Sequence, residues 1–372
     1  MKIIQLEGYT VSPNEQQLYR YTGQDPLTSR AFEVIRLVLE DGSEGVAGSS
    51  TGWFGAQRGL VTDQIEDLAT RVLGRDVATR TDITRQLILE CDSVVPQAES
   101  LLDIAMWDAW GKSTGNAIWE CLGGYQSCIP AYASTQAFLN IDEYIDITRK
   151  AIALGYPAIK YHMNCDLDFD LEMVAAIHRE FSDSGIRFMV DLEQRYDLDQ
   201  SIRLGELLST LPYDWMEAPL DDTDLDAYVE LNKRVDIDIL PAGNTLIGIE
   251  HWRNALSMGA WSRLRCDANN SGGITIMIDA MELANQRGVP LEIQSFGFTT
   301  NQAPNLQLML GLPGCNWFEQ PFPPQSFEFG AVNPIHTDSQ GLVCASVGHG
   351  IGLEMDWQVI RQMSEKQFTI CL

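Results

Sequence analysis

Two residues near the middle of the chain, Lys160 and His162, have the types and the spacing to act together in chemistry. They follow a short apolar run, residues 157–159, that is typical of a buried strand. Side chains alternate along a strand, so residues two positions apart point to the same face. An isolated pair of this kind is most often a surface lysine beside a structural histidine. The pattern of the C-terminal half of the chain favours a shared functional role instead.

Polar residues also end the strand-like segments that come next, and successive ones are 23 to 27 residues apart. Each interval contains a helix-like segment, and repeated strand–helix units form a parallel sheet. In a (β/α) barrel the carboxyl ends of all strands meet at one mouth. An open doubly wound sheet would also alternate, but it does not require a polar residue at every strand end, so we favour the barrel. The series is Asp191, Glu217, Asn244, Asp267, Gln294 and Glu319.

Three consecutive members of this series predict a metal site. Helix capping explains an Asp or Asn after one or two strands, but carboxylates that share one pocket repel each other. Mg²⁺ takes oxygen ligands and keeps positions for water and substrate. We therefore predict a Mg²⁺ site formed by Asp191, Glu217 and Asn244, with Glu193 as a spare ligand or an acid.

A metal next to a lysine and a histidine is typical of enzymes that remove a proton adjacent to a carboxylate. The metal stabilises the enediolate, and a nearby nitrogen base takes the proton. The expected partner is therefore a small carboxylic acid.

Composition excludes several other classes of function. The chain has 372 residues, enough for about two domains. Its net charge of −27 argues against nucleic acid and against anionic membrane surfaces. No apolar run approaches the length of a membrane span, and the first ten residues predict a strand rather than a signal peptide. The eight cysteines include no C-x-x-C pair, so we expect reduced core thiols in a cytoplasmic protein.

The N-terminal part of the chain predicts a sheet followed by helices, and it contains two stretches that we interpret as lids. Residues 14–30 are polar and aperiodic, and residues 52–56 carry aromatic side chains. Loops of this kind often close over active sites and exclude water. The residues expected to choose the substrate are Tyr19, Arg20, Trp53 and Phe54.

The sequence resembles the enolase superfamily, in its mandelate racemase/muconate lactonizing enzyme branch, over nearly the whole chain. LLDIAMWDAWGKSTGNAIWECLGG at 101–124 resembles the family's helix before the barrel. MVD at 189–191, MEAP at 216–219 and DANNSGGIT from 267 match its strand-end motifs. GLV at 341–343 with GHGIGL at 348–353 resembles the segment that returns to the N-terminal domain.

The resemblance implies an α/β protein, a modified (β/α)7β TIM-type barrel with an α+β capping domain. We expect the cap at residues 1–126, the barrel at 127–330 and a C-terminal segment, 331–372, that returns to the cap. We also expect a homo-oligomer.

Three departures from the family pattern bear on function. The usual K-x-K pair is Lys160-Tyr161-His162, and the usual third metal ligand, Glu, is Asn244. The usual histidine after the seventh strand is Gln294, so Asp267 lacks its partner. Glutamine cannot act as a base. A two-base racemase is therefore disfavoured, whereas a one-base reaction such as syn elimination of water remains available.

These features together predict a Mg²⁺-dependent lyase that dehydrates an acid sugar. His162 would be the base, Lys160 would bind the carboxylate, and Glu319 would hydrogen-bond a carboxylate oxygen. Asp267 completes the predicted catalytic group, while Glu193 and Gln294 would contact substrate. One alternative is a lactone cycloisomerase or an epimerase that uses the same enolate. Another is a catalytically lapsed relative that only binds a carboxylic acid.

Overall fold

The computed structural model describes residues 1–12, 18–26, 28–29, 31–50, 58–91 and 94–372. The N-terminal part forms an antiparallel sheet and a group of helices. Its strands are β1 (Ile3–Val11), β4 (Phe32–Leu39) and β5 (Glu44–Ser50), with a short hairpin of β2 (Leu18–Tyr19) and β3 (Thr28–Ser29) between β1 and β4. Its helices are α1 (Leu60–Val72), α2 (Arg80–Glu90), α3 (Pro96–Thr114) and α4 (Ile118–Cys121), with a 3₁₀ turn at Val77–Thr79.

Helix α3 is the packing centre of the N-terminal part. It begins with Pro96 in its first turn and is capped after Thr114 by Gly115, whose φ of 72° is left-handed. Such a helix, buried on nearly all sides, must lie between two layers. Its backbone lies so close to β5 that any side chain at Gly45 would collide with the carbonyl of Ala105.

Over residues 128–327, all of which the structure describes, eight strands alternate with seven helices. The strands are β6 (Cys128–Thr135), β7 (Ala158–His162), β8 (Arg187–Asp191), β9 (Tyr213–Glu217), β10 (Asp238–Leu240), β11 (Leu264–Cys266), β12 (Leu291–Ile293) and β13 (Phe318–Pro321). The helices are α5 (Ile141–Ala153), α6 (Leu167–Phe181), α7 (Leu198–Leu208), α8 (Leu225–Arg234), α9 (Ile249–Met258), α10 (Gly273–Arg287) and α11 (Thr299–Gly311), and a 3₁₀ turn follows at Pro324–Phe327.

The eight strands are arranged as a barrel. Six pair in parallel in the order β10-β9-β8-β7-β6-β13, so the last strand lies beside the first, and β11 pairs with β12. Hydrogen bonds through two serines join that pair to its neighbours. Ser262 N donates to Ile239 O (3.0 Å) and Ser262 Oγ accepts from Ile239 N (3.1 Å), while Ser295 Oγ donates to Glu319 O (2.9 Å) and accepts from Glu319 N (3.1 Å). The predicted (β/α)7β barrel with an α+β cap is confirmed.

The C-terminal segment contacts both parts of the structure. Strand β14 (Leu342–Cys344) pairs antiparallel with β6, helix α12 (Trp357–Met363) follows, and β15 (Ser364–Cys371) pairs antiparallel with β1. The cap sheet therefore has the strand order β15-β1-β4-β5.

The prediction that the thiols are reduced and lie in the core is wrong in part. Cys128 and Cys344 form a disulfide across 216 residues of sequence. The antiparallel register of β6 and β14 places these two residues opposite each other, and no motif in the sequence indicates that pairing. Among the free cysteines, Cys121 and Cys371 are exposed rather than buried.

Among the described residues we find no helix with both the length and the apolar character needed to cross a bilayer.

Asp108 on α3 holds the cap and the C-terminal segment together. Its buried carboxylate accepts hydrogen bonds from Val46 N and Ile351 N, each 2.9 Å long, and pairs with Lys112 at 2.7 Å. We expect Asp108→Ala to lower the free energy of unfolding by roughly 3 kcal/mol, because two buried N–H groups lose their acceptor. Denaturant unfolding measures this loss. Asp67→Ala, at an exposed position on α1, is the control, and an equal effect of the two substitutions would contradict the assignment.

Candidate active site

Lys160 and His162 share one face of β7, as their spacing predicts. Both are buried, and both line a cavity at the carboxyl end of the barrel strands. Tyr161 between them points to the opposite side, where its hydroxyl lies 2.6 Å from that of Thr148 on α5. The strand therefore presents a cation and an imidazole to the barrel mouth.

Lys160 is the centre of a group of buried charges. Its Nζ lies 3.1 Å from Asp191 Oδ2, 2.8 Å from Glu217 Oε2 and 2.8 Å from Glu319 Oε1. An ammonium group has three N–H donors and, while charged, no lone pair. Burial alone would lower the pKa of Lys160, but Glu217 and Glu319 raise it well above its usual value. Lys160 is therefore a fixed cation.

Arg265 on β11 is a second buried cation, and the sequence analysis missed it. Its Nε lies 2.8 Å from Glu217 Oε1, and its Nη2 lies 3.0 Å from Glu319 Oε2. Both glutamates thus bridge Arg265 and Lys160. The sequence did contain a signal for Arg265. It lies two positions before the strand-end residue Asp267, and residues at that spacing point to the same face of a strand. We call Lys160, Arg265, Asp191, Glu217 and Glu319 the charge cluster.

The two carboxylates of the predicted metal site are direct neighbours, since β8 and β9 pair Asp191 with Glu217. Burial raises the pKa of Glu217 well above its usual value, Arg265 opposes that rise, and Asp191 adds to it. Burial would also raise the pKa of Asp191, but Lys160 and then His162 lower it. The pair repels, and a divalent cation between the two would remove that repulsion.

The imidazole of His162 has a defined orientation. Its Nδ1 lies 2.6 Å from the carbonyl oxygen of Thr135, which can only accept, so Nδ1 carries the hydrogen. Nε2 then faces Glu193 Oε1 at 3.1 Å and Asp191 Oδ2 at 3.5 Å. The ring packs against Phe296, with 5.5 Å between centroids. The nitrogen directed toward the cavity is therefore Nε2.

The cavity has a volume of about 390 Å³. It brings together most of the residues predicted from strand ends. The predicted residues that line it are Lys160, His162, Asp191, Glu193, Glu217, Asn244, Gln294 and Glu319.

Asp267 is not among the lining residues. Both of its carboxylate oxygens accept from the side-chain amide of Asn270, and Asn269 N donates to Oδ1. Burial raises the pKa of Asp267 to about 6, with Asn270 opposing the rise. Gln294 does line the cavity, and its buried Oε1 has no hydrogen-bond partner among the described residues.

Residues 18–26 of the predicted first lid lie over the barrel mouth. Tyr19 Oη donates to Thr135 O at 2.6 Å, beside His162, and the backbone carbonyl of Arg20 accepts from Ala137 N. Further along, Tyr21, Asp25 and Pro26 line the cavity. Sequence reasoning missed these three residues and also Arg195, which pairs with Asp25. Trp53 and Phe54, with the rest of the predicted second lid, fall outside the described residues.

The residues of the site fit a divalent cation. In the charge cluster three acidic side chains face two basic ones, so one negative charge remains when every group is ionised, and the partly exposed Glu193 makes the excess two. Two ligand sets that share Asp191 are available. One is the predicted set with Glu217 and Asn244, all of which line the cavity, and the other is His162 with Glu193, whose ligand atoms and that of Asp191 lie within 4.8 Å of one another.

With this geometry established, the chain is found to belong to the enolase superfamily. Residues 143–359 match the family described as enolase C-terminal domain-like. Residues 24–123 match the mandelate racemase / muconate lactonizing enzyme N-terminal domain. The predicted family is confirmed.

Several relatives are enzymes named for sugar acids or their lactones. L-talarate/galactarate dehydratase of Salmonella typhimurium LT2 is 26% identical over 91% of this chain and 84% of its own length. D-galactarolactone cycloisomerase of Agrobacterium fabrum is 31% identical over 58% of each chain. The relatives thus include lyases and isomerases.

Solved structures of other proteins have the same fold as this chain. The crystal structure of a Pseudovibrio sp. protein assigned to mandelate racemase/muconate lactonizing enzyme has a TM-score of 0.95 and 32% identity, and covers 100% of this chain and 99% of its own. A mutant L-talarate/galactarate dehydratase liganded with Mg and L-glucarate has a TM-score of 0.87 and 22% identity, over 100% and 94% of the two chains.

The two ligand sets can be separated by titrating Mg²⁺ into variants. Because Mg²⁺ prefers oxygen ligands, we expect Asn244→Ala to weaken Mg²⁺ binding by roughly tenfold or more, as loss of even a supporting group does. Glu193→Gln should leave the affinity nearly unchanged, and Asp191→Asn should weaken it strongly because both sets share Asp191. Isothermal calorimetry measures all three affinities. The reverse order for Asn244 and Glu193 would assign the metal to the set with His162.

Arg265 provides a separate test of the charge cluster. We expect Arg265→Met to lower the free energy of unfolding by roughly 3–5 kcal/mol, because it leaves two buried glutamates without one of their cations. Arg265→Lys keeps the charge but loses the fixed two-pronged geometry, so it should cost less. Chemical denaturation compares the two variants. Equal stabilities of parent and Arg265→Met would show that Lys160 alone compensates both glutamates.

Proposed function

We propose that this chain removes the proton alpha to the carboxylate of an acid sugar and then eliminates water from it. The observation that supports the proposal is the pair of buried nitrogens on β7. One is the ammonium nitrogen of Lys160, whose three donors all contact carboxylates, and the other is the imidazole Nε2 of His162, which faces the cavity. These are the two parts that one-base enolisation requires.

His162 is the base in this scheme. Thr135 O holds Nδ1–H, so the lone pair of Nε2 is the one available to accept the α-proton. The resulting imidazolium would lie 3.1 Å from Glu193 and 3.5 Å from Asp191, which stabilise its charge. The same nitrogen then returns its proton to the departing β-hydroxyl. Both events occur on one face of the substrate, so the elimination is syn.

Among the described residues, three predicted candidates for a second base are unsuited to that role. Lys160 uses its donors on three carboxylates, Gln294 has no basic atom, and Asp267 is held by Asn270 away from the cavity lining. A one-base reaction is therefore favoured over a racemase that needs a base on each face.

The substrate carboxylate is expected to bind near Lys160 and Glu319. Because the three donors of Lys160 already contact protein carboxylates, Lys160 would act on the substrate through its charge rather than through a hydrogen bond. Mg²⁺, held by Asp191, Glu217 and Asn244, would supply the positive charge that stabilises the enediolate. Lys160 and Arg265 fix Glu217 and Glu319 in position, so these side chains need little reorganisation during reaction.

A cycloisomerase is the second candidate. It would use the same enolate, and the 31% identity to D-galactarolactone cycloisomerase supports it. The two reactions differ in product. A library of acid sugars incubated with Mg²⁺ and assayed for 2-keto acid formation identifies the dehydratase, and absence of turnover across the library would support a relative that only binds acids.

His162→Asn tests the base directly. We expect it to abolish exchange of the substrate α-proton with D₂O, with a loss of about 10²–10⁴-fold in rate, the usual contribution of a general base. Proton NMR of the substrate follows the exchange. Gln294→Ala is the matched control at the mouth of the cavity and should leave exchange largely intact.

A purely structural role for His162 predicts a different outcome. The variant would then lose stability while turnover per folded molecule stayed the same, so circular dichroism and unfolding curves accompany the kinetics. If folded His162→Asn protein exchanges the α-proton at the parent rate, the base must be another group.

A further inference from the structure

The lid carries a carboxylate that is fixed in place over the cavity. Asp25 Oδ2 accepts from Thr22 N at 3.0 Å and from Thr22 Oγ1 at 2.9 Å, while Oδ1 accepts from Arg195 Nη2 at 3.0 Å. Thr22 itself is fully buried. All of these bonds restrain the same side chain, so Asp25 cannot readily turn away from a ligand.

The segment around Asp25 is also anchored to the barrel. Gly23 N donates to Asn164 O at 3.0 Å, and Gln24 Nε2 donates to Cys165 O at 3.1 Å. Both acceptors lie in the loop after β7, directly beyond His162. The position of Asp25 is therefore set relative to the catalytic strand.

Arg195 lies on the barrel side of the same cavity, in the loop after β8. Its side chain is 48% exposed, and that of Asp25 is 26% exposed, so both can reach a ligand. Asp25 neutralises Arg195, and among the other lining residues Tyr21, Pro26 and Phe296 are not basic and Glu193 is acidic. The part of the cavity around Asp25 and Arg195, which we call the outer cavity, thus offers a donor, Arg195, paired with an acceptor, Asp25, and has no excess positive charge.

We infer that Asp25 and Arg195 select acids with one carboxylate and a hydroxylated far end. The inference rests on the proposed function, in which the reacting carboxylate binds near Lys160 and Glu319. A second carboxylate at the far end would meet the fixed negative charge of Asp25 and compete with it for Arg195, and like charges brought together disfavour binding. A hydroxyl is both donor and acceptor, so it can bind Asp25 and Arg195 at once.

Matched pairs of acids test this selection in the Mg²⁺-loaded protein. Gluconate and glucarate share their stereochemistry and differ only in the group at C6, as galactonate and galactarate do. Calorimetry gives the affinity for each acid, and turnover gives the relative kcat/KM. We expect the parent to prefer the monoacid of the pair it binds best, by roughly tenfold, the order for one like charge in a partly exposed site.

Two variants with opposite charge changes separate selection from simple lid closure. Asp25→Asn should reduce or reverse the preference, because Arg195 then faces the far carboxylate without competition. Arg195→Gln should increase the preference, since Asp25 then remains uncompensated. Added salt should weaken both changes. Ion pairs near the surface contribute little to stability, and Asp25→Asn keeps an oxygen that can accept from Thr22, so both variants should fold.

Three results would overturn the inference, and they are distinguishable. If the pair only latches the lid, both variants lower mono- and diacid binding equally and the ratio does not change. A parent that prefers the diacid shows that the outer site is built for a second carboxylate. If no acid of either kind binds or is turned over, the proposed function itself fails.

Discussion

The ion contacts of Lys160 are the constraint on which the rest of the site depends. An ammonium group buried in a barrel is costly unless charges and hydrogen bonds compensate it. Three carboxylates from three other strands do so, at 3.1, 2.8 and 2.8 Å. Each of those strands must therefore end where its carboxylate can reach one nitrogen. This requirement fixes the relative height of β7, β8, β9 and β13, and with it the positions of the predicted metal ligands.

Arg265 changes the electrostatics that the strand-end pattern alone implies. Six polar strand ends indicated a strongly negative mouth, yet two of the carboxylates are each shared by two cations. The predicted third metal ligand, Asn244, lines the cavity and adds no negative charge. A site with little excess negative charge suits one divalent ion and one carboxylate better than it suits several anions. The amide at position 244 and the guanidinium at 265 therefore act in the same electrostatic direction.

Much of the fold and part of the site could be predicted from the sequence, because they rest on period and alternation. Near-constant spacing of polar residues identified the barrel strands, and a spacing of two placed Lys160 and His162 on one face. The alternation of side chains along a strand does not indicate which residues a given side chain contacts. It placed Asp267 at the end of a barrel strand but did not indicate that two asparagines just after it would hydrogen-bond its carboxylate. The disulfide depended on the register of β14 with β6, which no local pattern encodes.

The lid and the predicted base are coupled through one backbone atom. The carbonyl oxygen of Thr135 accepts from Tyr19 Oη and from His162 Nδ1, each at 2.6 Å. Tyr19 belongs to the lid, Thr135 ends β6, and His162 ends β7, so docking of residues 18–26 completes the surroundings of the imidazole. An acceptor shared in this way holds Nδ1 as the protonated nitrogen only while the ring keeps its orientation. The position of residues 18–26 and the direction of Nε2 are thus parts of one packing arrangement.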